Sequence, residues 1–588
     1  MRNWGVAAFA AMGVCASGAV HGLAKEVTPQ MEYGKTIKDY QSVSAAGDSP
    51  FGESINPITG ELSFSQADIV LEGTGPAIVL TRTTKTQQQD KSYDSPVFGD
   101  WDLSIPRIET MLRDDPKTQK PAGENWRVGI ANTQQRCTRF DAPNLAMDEW
   151  WHGYDFVTED GARQLLLKRA VENTAPKPTM RDAAGAPMVF PALTLSHWQI
   201  GCLPNTANGE AGEAYLAVSP DGTKYSLDYL VQADTSAVIE DDPDANRIHR
   251  KFATMFATRI EDRFGNWVRY HYTGKQLTQI TAKDGRSVRL TWGTEYPVVT
   301  AITVMPGTAS ERTWRYSYSF AVMGGTNIIT SAKLTGVQLP DNSRWTYAGW
   351  VADLDPPSHQ QQTNCDIRNG GQLSLSQGDR TATVTAPSGA IGTFVRSAAW
   401  RGRSYVSSTC YRDPVTNHSQ ETNPPLFGAW VLTQRTVSGP GLPTRTWTYA
   451  HSQAQSSALR DACAAVGTCA EEAFVDMSDP DGHRTRLVYS TRWGISEGRQ
   501  LRSEVYQAES TLMRTTTYTY APHDQGPWPA RIGLTRMTQR TAIDKLERLS
   551  PVVTTTIVQQ GRTFTSSVEA FDVFGRSTRV VRRSAPAP

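Results

Sequence analysis

The amino-acid sequence predicts an all-β fold, an extended array of antiparallel β-hairpins. Three observations support this prediction. Apolar and polar residues alternate with a period of two along much of the chain, and a short turn motif of the Asp-Gly type recurs. The strands between these turns end on similar pairs of aromatic residues. A chain of 588 residues exceeds what one hydrophobic core usually holds, which also favours a repeat array or several modules.

The clearest example of the predicted unit begins with the turn at Asp262 and continues as strand, turn, strand, turn, strand. Val268, Tyr270 and Tyr272 would share one face of its first strand, because successive side chains of a strand point to opposite faces. The next turn is Thr273-Gly274-Lys275, and the one after it contains Asp284, which is 22 residues after Asp262. That spacing fits a hairpin repeat better than the roughly 40-residue blade of a propeller-type hydrolase.

The same turn recurs along the chain, and the strand endings recur with it. The further turns are Asp160-Gly161, Asp221-Gly222, Asp341-Asn342, Asp481-Gly482 and a longer form at 572–576. The similar strand endings are residues 312–318, 344–347, 445–449 and 514–520. Because neighbouring repeat units must stack to bury their apolar faces, we interpret the whole set as one array. The Ala-rich segment 456–474 is expected to be helical, with Gly467 interrupting it.

The N-terminus has the composition of a signal peptide. Arg2 precedes an apolar run over residues 6–20, and small residues up to Ala24 form a cleavage site, with a second site a few residues earlier. We expect residues 1–24 to be removed and residues 25–50 to form an extended N-terminal arm. The protein would be exported to the periplasm, the cell surface or the medium. No membrane span is expected after cleavage, since no later stretch approaches spanning length.

Export changes the interpretation of the cysteines. Six remain after removal of the signal peptide, in three neighbouring couples along the chain: Cys137 and Cys202, Cys365 and Cys410, Cys463 and Cys469. Six cysteines allow 15 pairings, and pairing within each couple is our expectation. No couple has zinc-knuckle spacing and no histidine cluster accompanies them, so structural disulfides are favoured over metal ligation.

Charge and motifs argue against several functional classes. Lys and Arg together number 59, as do Asp and Glu, so the formal net charge is zero. A neutral chain without a basic stripe gives no reason to expect nucleic acid or an anionic membrane as a partner. The sequence has no nucleophile elbow, no His-Glu-x-x-His motif and no phosphate-binding loop, and its ten histidines are scattered. We therefore expect no enzymatic activity, no cofactor and no metal ion.

Four aromatic residues are candidates for stacking on a ligand: Trp150, Trp151, Tyr154 and Trp267. Because aromatic rings stack on the apolar faces of sugars, these residues support an alternative function, that of a carbohydrate- or cell-wall-binding surface protein. Aromatic residues at alternate positions of hairpins also pack across strands, so the same residues fit a structural role.

The Asp…Phe-Gly-Arg and Tyr-x-Tyr patterns resemble the YD repeats of RHS (rearrangement hotspot) proteins. Two further stretches are similar to the N-terminal region of secreted bacterial members. Residues 55–86 contain a Pro-x-Thr-Gly turn and a Leu-Thr-Arg ending, and residues 98–108 contain a Phe-Gly…Trp strand that leads into Pro-Arg-Ile. On this resemblance, residues 51–230 would be an N-terminal RHS-like β region and residues 231–588 YD-type hairpin repeats.

The resemblance implies a β-sheet that spirals into a hollow shell around a C-terminal polypeptide, often a toxin. This chain departs from the family at 479–482, its one Asp-Pro-x-Gly stretch, which lacks the family's flanking run and continues into an ordinary strand. We interpret that stretch as a turn. No cargo domain is expected after it, so the chain would be a partial shell, the N-terminal portion without the closing RHS core and the cargo.

The expected function is therefore that of an exported, non-enzymatic shell, scaffold or cell-surface interaction module. One form of this function is the front part of a polymorphic-toxin delivery shell. The expected partner is a polypeptide or cargo, or a cell-surface glycan under the alternative function. The sequence leaves self-association open.

Overall fold

The computed structural model describes residues 43–44, 49–56, 59–85, 97–113, 135–140, 153–182, 184–235, 250–325, 327–352, 357, 375, 378–407, 409–412, 419–422, 425–508, 510–522, 531–534 and 547–587. The predicted signal peptide, residues 1–24, lies outside them. The prediction of an all-β, antiparallel fold is confirmed, since strands form almost all regular structure in these ranges. No helix in this part of the chain is both long enough and apolar enough to cross a membrane.

The N-terminal strands form a small sheet of five antiparallel strands, paired in chain order. The strands are β1 (Val43–Ser44), β2 (Glu53–Ile55), β3 (Leu62–Leu71), β4 (Ile78–Thr84) and β5 (Trp101–Leu103). Its larger apolar side chains, among them Phe64, Leu80 and Trp101, are almost fully buried. One face of the small sheet is therefore apolar and buried, so another layer of the protein must cover it.

That other layer is a much larger sheet, which begins with residues 107–261. Its first strands are β6 (Arg107–Arg113), β7 (Asp155–Val157), β8 (Arg163–Leu165), β9 (Leu167–Arg169), β10 (Ala192–Leu193), β11 (Gln199–Leu203), β12 (Ala214–Val218), β13 (Lys224–Asp234) and β14 (Arg250–Glu261). β9 to β14 pair in chain order, each antiparallel to the next. β6 also pairs with the first half of β14 and extends the sheet sideways to β7 and β8.

The large sheet continues from the last residues of β14. Its further strands are β15 (Trp267–Thr273), β16 (Gln276–Ala282), β17 (Ser287–Trp292), β18 (Val299–Val304), β19 (Arg312–Val322), β20 (Ile329–Gln338), β21 (Arg344–Gly349), β22 (Asp379–Thr385), β23 (Ile391–Gly402), β26 (Leu426–Gly439), β27 (Leu442–His451), β28 (Glu472–Ser478), β29 (Arg484–Ser490), β30 (Gln500–Gln507), β31 (Thr511–Tyr520), β33 (Val552–Gln559), β34 (Arg562–Phe571) and β35 (Ser577–Pro586). Each of these strands is antiparallel to the next in this order.

Two interruptions break the simple order of hairpins. β24 (Thr409–Arg412) and β25 (Ser419–Thr422) form a separate hairpin, so β23 pairs directly with β26. β32 (Gly533–Leu534) pairs with β9, so β31 pairs directly with β33. Residue 230, the predicted boundary, lies within β13.

Ten turns of the structure share one hydrogen-bond pattern over five residues. The first residue donates its N–H to the carbonyl of the fifth, and the fourth donates its N–H to the carbonyl of the first. The turns are 158–162, 182–186, 194–198, 219–223, 262–266, 282–286, 339–343, 386–390, 479–483 and 572–576. The fourth residue has a positive φ in every one, and it is glycine in all but two. This three-residue hairpin loop with a left-handed residue explains why the Asp-Gly pattern recurs.

The alternation of side chains in the strands also agrees with the predicted pattern. Val268 in β15 and both Val288 and Leu290 in β17 are buried, whereas Arg269 and Arg289 between them are exposed. These buried residues belong to one hydrophobic core that extends between the small sheet and the large one. The large sheet thus has one face on the core along these strands.

The predicted helix over 456–474 is wrong for most of its length. The helix in this segment, α1 (Ala462–Ala465), has four residues, and β28 already begins at Glu472. Gly467 has φ 71°, which ends the helical path. The disulfide between Cys463 and Cys469 also excludes a continuous helix. It holds the two Cα atoms 4.9 Å apart, whereas six residues of helix would rise about 9 Å.

Candidate functional site

The small sheet lies across the strands of the large sheet. Contacts along and beside β3 reach the large sheet in this order: Gly60 against Val431 of β26, Phe64 against Phe394 of β23, Asp68 against Tyr316 of β19, and Leu71 against Arg286 just before β17. β3 of the small sheet therefore crosses successive strands of the large sheet, in reverse chain order.

The angle at which β3 crosses the strands of the large sheet follows from a comparison of two lengths. Residues 60–71 of an extended strand span roughly 37 Å, and the seven steps of the ladder from β26 to β17 span roughly 34 Å. The two lengths agree only if β3 runs at a steep angle to the strands beneath it. The two sheets are therefore packed near-orthogonally, which is one of the two common ways for sheets to pack face to face.

Gly60 allows a close approach between the two sheets. Its φ is 70°, and a Cβ atom at this position would lie 2.4 Å from Cγ1 of Val431. Its N–H donates to the carbonyl of Asn56, which closes the turn that leads into β3. Gly60 is the glycine of the Pro-x-Thr-Gly stretch, and it serves both the backbone conformation and the contact with β26.

A buried polar cluster joins the middle of the two sheets. Arg82 Nε lies 2.5 Å from Asp68 Oδ2, and Arg82 Nη2 lies 2.9 Å from Asp68 Oδ1. From the large sheet, Tyr316 donates its hydroxyl to Asp68 over 2.8 Å, and the Tyr347 hydroxyl accepts from Arg82 over 3.1 Å. The Arg82 guanidinium also lies 4.9 Å from the ring centroid of Trp101. Burial alone would lower the pKa of Arg82, but the neighbouring Asp68 carboxylate outweighs it and raises that pKa.

A second buried ion pair joins β26 to β2. Arg435 Nη1 lies 3.0 Å from Glu53 Oε1, and both side chains are almost fully buried. Burial raises the pKa of Glu53, although Arg435 and the amide of Phe51 both favour its charged form. The Arg435 guanidinium also stacks 4.0 Å from the ring centroid of Trp447. Charged pairs of this kind need fixed partners, so they set where the small sheet sits on the large one.

Residues near the C-terminal end of the array contact residues near its beginning. β32 pairs with β9 through Gly533 and Leu534, and Asn173 Nδ2 donates to the carbonyl of Ile532 over 2.8 Å. Nearby, His197 Nε2 lies 3.2 Å from the carbonyl oxygen of Phe574, and the two rings pack edge to face. The array must therefore curl to bring these parts together. β31 pairs directly with β33, so β32 joins the array at its beginning through β9.

The last strands of the array differ from the rest in their exposure. None of the described residues of β33, β34 and β35 is buried. Apolar side chains that remain exposed in and beside these strands and β31 are Leu512, Met513, Val558, Phe564, Val573 and Val580. Val558 and Phe564 lie on opposite faces of the sheet, since Val558 pairs with Thr563 and Phe564 pairs with Ile557. Both faces of these last strands therefore leave apolar side chains exposed.

Two of the three cysteine couples are joined in the structure. Cys137 and Cys202 form one disulfide, with Cα atoms 5.4 Å apart, and Cys463 and Cys469 form the other. The Cys365 residue and the Cys410 side chain lie outside what the structure describes, so the middle pair stays a prediction.

Of the four candidate stacking aromatics, the structure describes Tyr154 and Trp267. Trp150 and Trp151 lie outside the described residues. Tyr154 is 2% exposed and packs on Phe140 with ring centroids 4.8 Å apart, so its ring faces protein and not solvent. Trp267 is half-buried, with the Arg269 guanidinium 4.6 Å from its ring centroid. Its ring is thus already covered in part by a cation from its own strand.

No group of three or more His, Cys, Asp and Glu side chains within the described residues could hold a metal ion.

The sequence patterns did not predict which residues form the buried polar cluster between the two sheets. Tyr316 and Tyr347 belong to the recurring aromatic strand endings, and Arg82 ends the Leu-Thr-Arg stretch, but no local pattern pairs them with Asp68.

No protein-family model matches the chain, and no curated protein is detectably similar to it. Among solved structures, the chain is similar to TcdB2-TccC3, with 9% sequence identity and a TM-score of 0.40. That likeness covers 94% of this chain and 46% of the other, so this chain spans about half the length of the chain it matches. So limited a likeness carries no conclusion about this chain.

Proposed function

We propose that the chain is an exported, non-enzymatic shell or scaffold of the RHS type, which encloses or holds another polypeptide. The observation that carries this proposal is the return of the array to its beginning, where β32 pairs with β9 and His197 meets Phe574. A sheet whose distant parts meet has an inner side that solvent reaches less readily than the outer side. Such a sheet suits enclosure better than catalysis at a single cleft.

The position of the small sheet supports the same function. It covers the large sheet from about β17 to β26, through the contacts of Asp68, Arg82 and Glu53. The strands from β31 to β35 carry exposed apolar side chains instead. We assign contact with the partner polypeptide to these strands, because they offer the apolar area that a partner could bury.

The two disulfides support the part of the proposal that concerns export. Disulfides form and persist in oxidising compartments and are rare in the reducing cytosol. The Cys137–Cys202 disulfide joins residues 65 apart, and it has the Cα separation of an ordinary structural disulfide. Together with the apolar N-terminal run of the sequence, this supports a periplasmic, cell-surface or secreted location.

The proposal is tested on the protein isolated from its native source without denaturation. We expect native mass spectrometry to detect a complex of this chain with a second polypeptide. That polypeptide should resist added protease in the complex and be digested once the complex is denatured. Cross-linking should place it against the strands from β31 to β35.

The matched comparison is the same chain produced alone and digested under the same conditions. A native mass equal to that of this chain alone, with no second polypeptide protected, would contradict the proposal. A partner that is digested equally fast inside and outside the complex would also contradict enclosure, although not binding.

A further inference from the structure

A cavity lies where the small sheet meets the strands from β13 to β17. The space between the lining side chains, together with the open solvent at its mouth, is about 860 Å³. One wall is apolar and mostly aromatic, and the floor is charged. The residues that line it are Lys85, Val97, Asp102, Leu103, Ile105, Arg107, Glu109, Arg163, Val231, Ala233, Phe252, Thr254, Phe256, Tyr272, Lys275, Leu277 and Trp292.

The aromatic wall is held in place by hydrogen bonds to the backbone behind it. Trp292 Nε1 donates to the carbonyl of Leu277 over 2.8 Å, and the Tyr272 hydroxyl donates to the carbonyl of Ala257 over 2.7 Å. Phe256 packs on Tyr272 with ring centroids 5.8 Å apart. These rings present a fixed apolar surface to the cavity, so an apolar ligand would pay little entropy to order them.

The charged floor is largely neutralised within itself. Arg107 Nη2 lies 2.5 Å from Asp102 Oδ2, and Arg107 Nε lies 2.6 Å from Glu109 Oε2. Arg107 Nη1 also donates to the carbonyls of Leu103 and Ile105. Glu109 contacts Arg163 as well as Arg107. The two carboxylates of the floor therefore already have guanidinium partners and would not attract a cationic ligand.

Lys85 is also a cation of the floor, but its contacts differ from those of Arg107. Its ammonium donates to the carbonyl of Gly99 over 3.0 Å, although an ammonium group can donate three hydrogen bonds. The side chain is half-buried, at the edge of the cavity. Burial lowers the pKa of Lys85, while Asp102 and Asp100 partly oppose that shift. An anion placed beside Lys85 would offset the cost of burying its charge.

We propose that this cavity binds a small amphipathic carboxylate, with its apolar body against the aromatic wall and its carboxylate paired with Lys85. The chemical class follows from the two surfaces. An apolar wall of Phe252, Phe256, Tyr272 and Trp292 favours an aliphatic or aromatic body, and the ammonium at the floor favours one negative charge. This site is independent of the proposed shell function and of the strands assigned to its partner.

The test uses the full chain with 4-phenylbutyrate as the probe and 4-phenyl-1-butanol as the uncharged probe of the same shape. Calorimetry should give at least ten-fold tighter binding for the carboxylate, and Trp292 fluorescence should change on binding. Equal affinity for the two probes, or no binding of 4-phenylbutyrate at millimolar concentration, would overturn the proposal. This comparison needs no variant and so does not depend on how a variant folds.

Two substitutions then locate the site. Lys85→Gln should weaken binding of 4-phenylbutyrate at least ten-fold and leave binding of the alcohol unchanged. Lys283→Gln is the matched control, because Lys283 also donates to a single glycine carbonyl, that of Gly265 over 3.0 Å, but on an exposed turn. Equal loss in the two variants would overturn the assignment to Lys85. Trp292→Phe should remove the fluorescence change and keep the calorimetric signal, and persistence of that fluorescence change would place the probe elsewhere.

Discussion

Asp68 and Arg82 lie 14 residues apart, on the neighbouring strands β3 and β4, and form a two-point ion pair that is buried between the two sheets. Their side chains are 3% and 1% exposed. Two tyrosines of the large sheet add one hydrogen bond to each of them. The small sheet therefore carries an ion pair of its own, and the large sheet covers it and supplies two further hydrogen bonds.

Asp68→Asn should destabilise the protein by about 3–5 kcal/mol, because it leaves the buried Arg82 charge without its carboxylate. Urea unfolding of the purified chain measures this change. Arg445→Ala is the control, since Arg445 and Asp481 form an ion pair whose side chains are 44% and 63% exposed. The control should cost less than about 1 kcal/mol. Equal costs for the two variants would show that burial of the Asp68 pair does not matter for stability.

Gly60→Ala should cost more than Gly561→Ala, although both glycines have nearly the same positive φ. Each substitution strains the backbone by about 1–2 kcal/mol. At Gly60 the new Cβ also meets Val431, whereas nothing lies within 4 Å at Gly561. The clash should add about 1–3 kcal/mol. Thermal unfolding of both variants checks the difference, and equal shifts in Tm would argue against close packing of β26 on this turn.

Removal of the Cys137–Cys202 disulfide should cost more than removal of the Cys463–Cys469 disulfide. The first joins residues 65 apart and the second residues 6 apart. Loop-closure entropy then gives about 4 kcal/mol for the first and about 2 kcal/mol for the second. The two Cys-to-Ser double variants, compared by denaturant unfolding under oxidising conditions, test this order. The reverse order would mean that the longer loop stays ordered in the unfolded chain.

Stability should fall between pH 7 and pH 4 in part through His451. Burial and the nearby Arg401 lower the pKa of His451 to about 4, and His451 Nε2 lies 2.9 Å from the carbonyl oxygen of Leu432. The unfolded chain binds a proton at this histidine below about pH 6.5, but the folded chain binds it only near pH 4. The stabilising effect of the neutral ring is therefore complete above pH 6.5 and is lost as the pH falls toward 4.

The expected loss from His451 is on the order of 2–3 kcal/mol over that interval. His451→Gln lacks the titrating group, so its unfolding free energy should fall less steeply with pH than that of the original chain. The difference between the two chains cancels the contribution of carboxylates that titrate in the same range. Parallel pH profiles of the two chains would contradict a depressed His451 pKa.

Asn173→Ala should loosen the place where the array returns to its beginning. The substitution removes the hydrogen bond to the carbonyl of Ile532, which holds β32 beside β9. Loss of one buried hydrogen bond should speed amide exchange of Gly533 and Leu534 by about ten-fold. Hydrogen exchange followed by mass spectrometry measures this, with the peptide that contains β16 as the internal control. Unchanged exchange at β32 would mean that other contacts hold this junction.

The turns show how far local patterns can predict this fold. The turn at 262–266 was predicted because Asp262 and Gly265 are typical of it, and the structure has it there. The turn at 194–198 has the same hydrogen bonds but was missed, because His197 occupies the left-handed position with φ 67°. Histidine adopts this conformation more often than most side chains, but it predicts a turn far more weakly than glycine, because non-glycine residues at positive φ are uncommon.

Alternation and turn residues act over a few neighbouring positions, so the antiparallel array of hairpins can be predicted from the order of the amino acids. What the array packs against is fixed only in the folded chain. β3 crosses the strands from β26 to β17, and Asn173 meets Ile532 across 359 positions of the chain. An alternating pattern states which side of a strand is buried but not which distant strand covers it. The ion pair of Asp68 with Arg82 between the sheets, the junction of β9 with β32 and the cavity beside Lys85 therefore became visible only when the chain was folded.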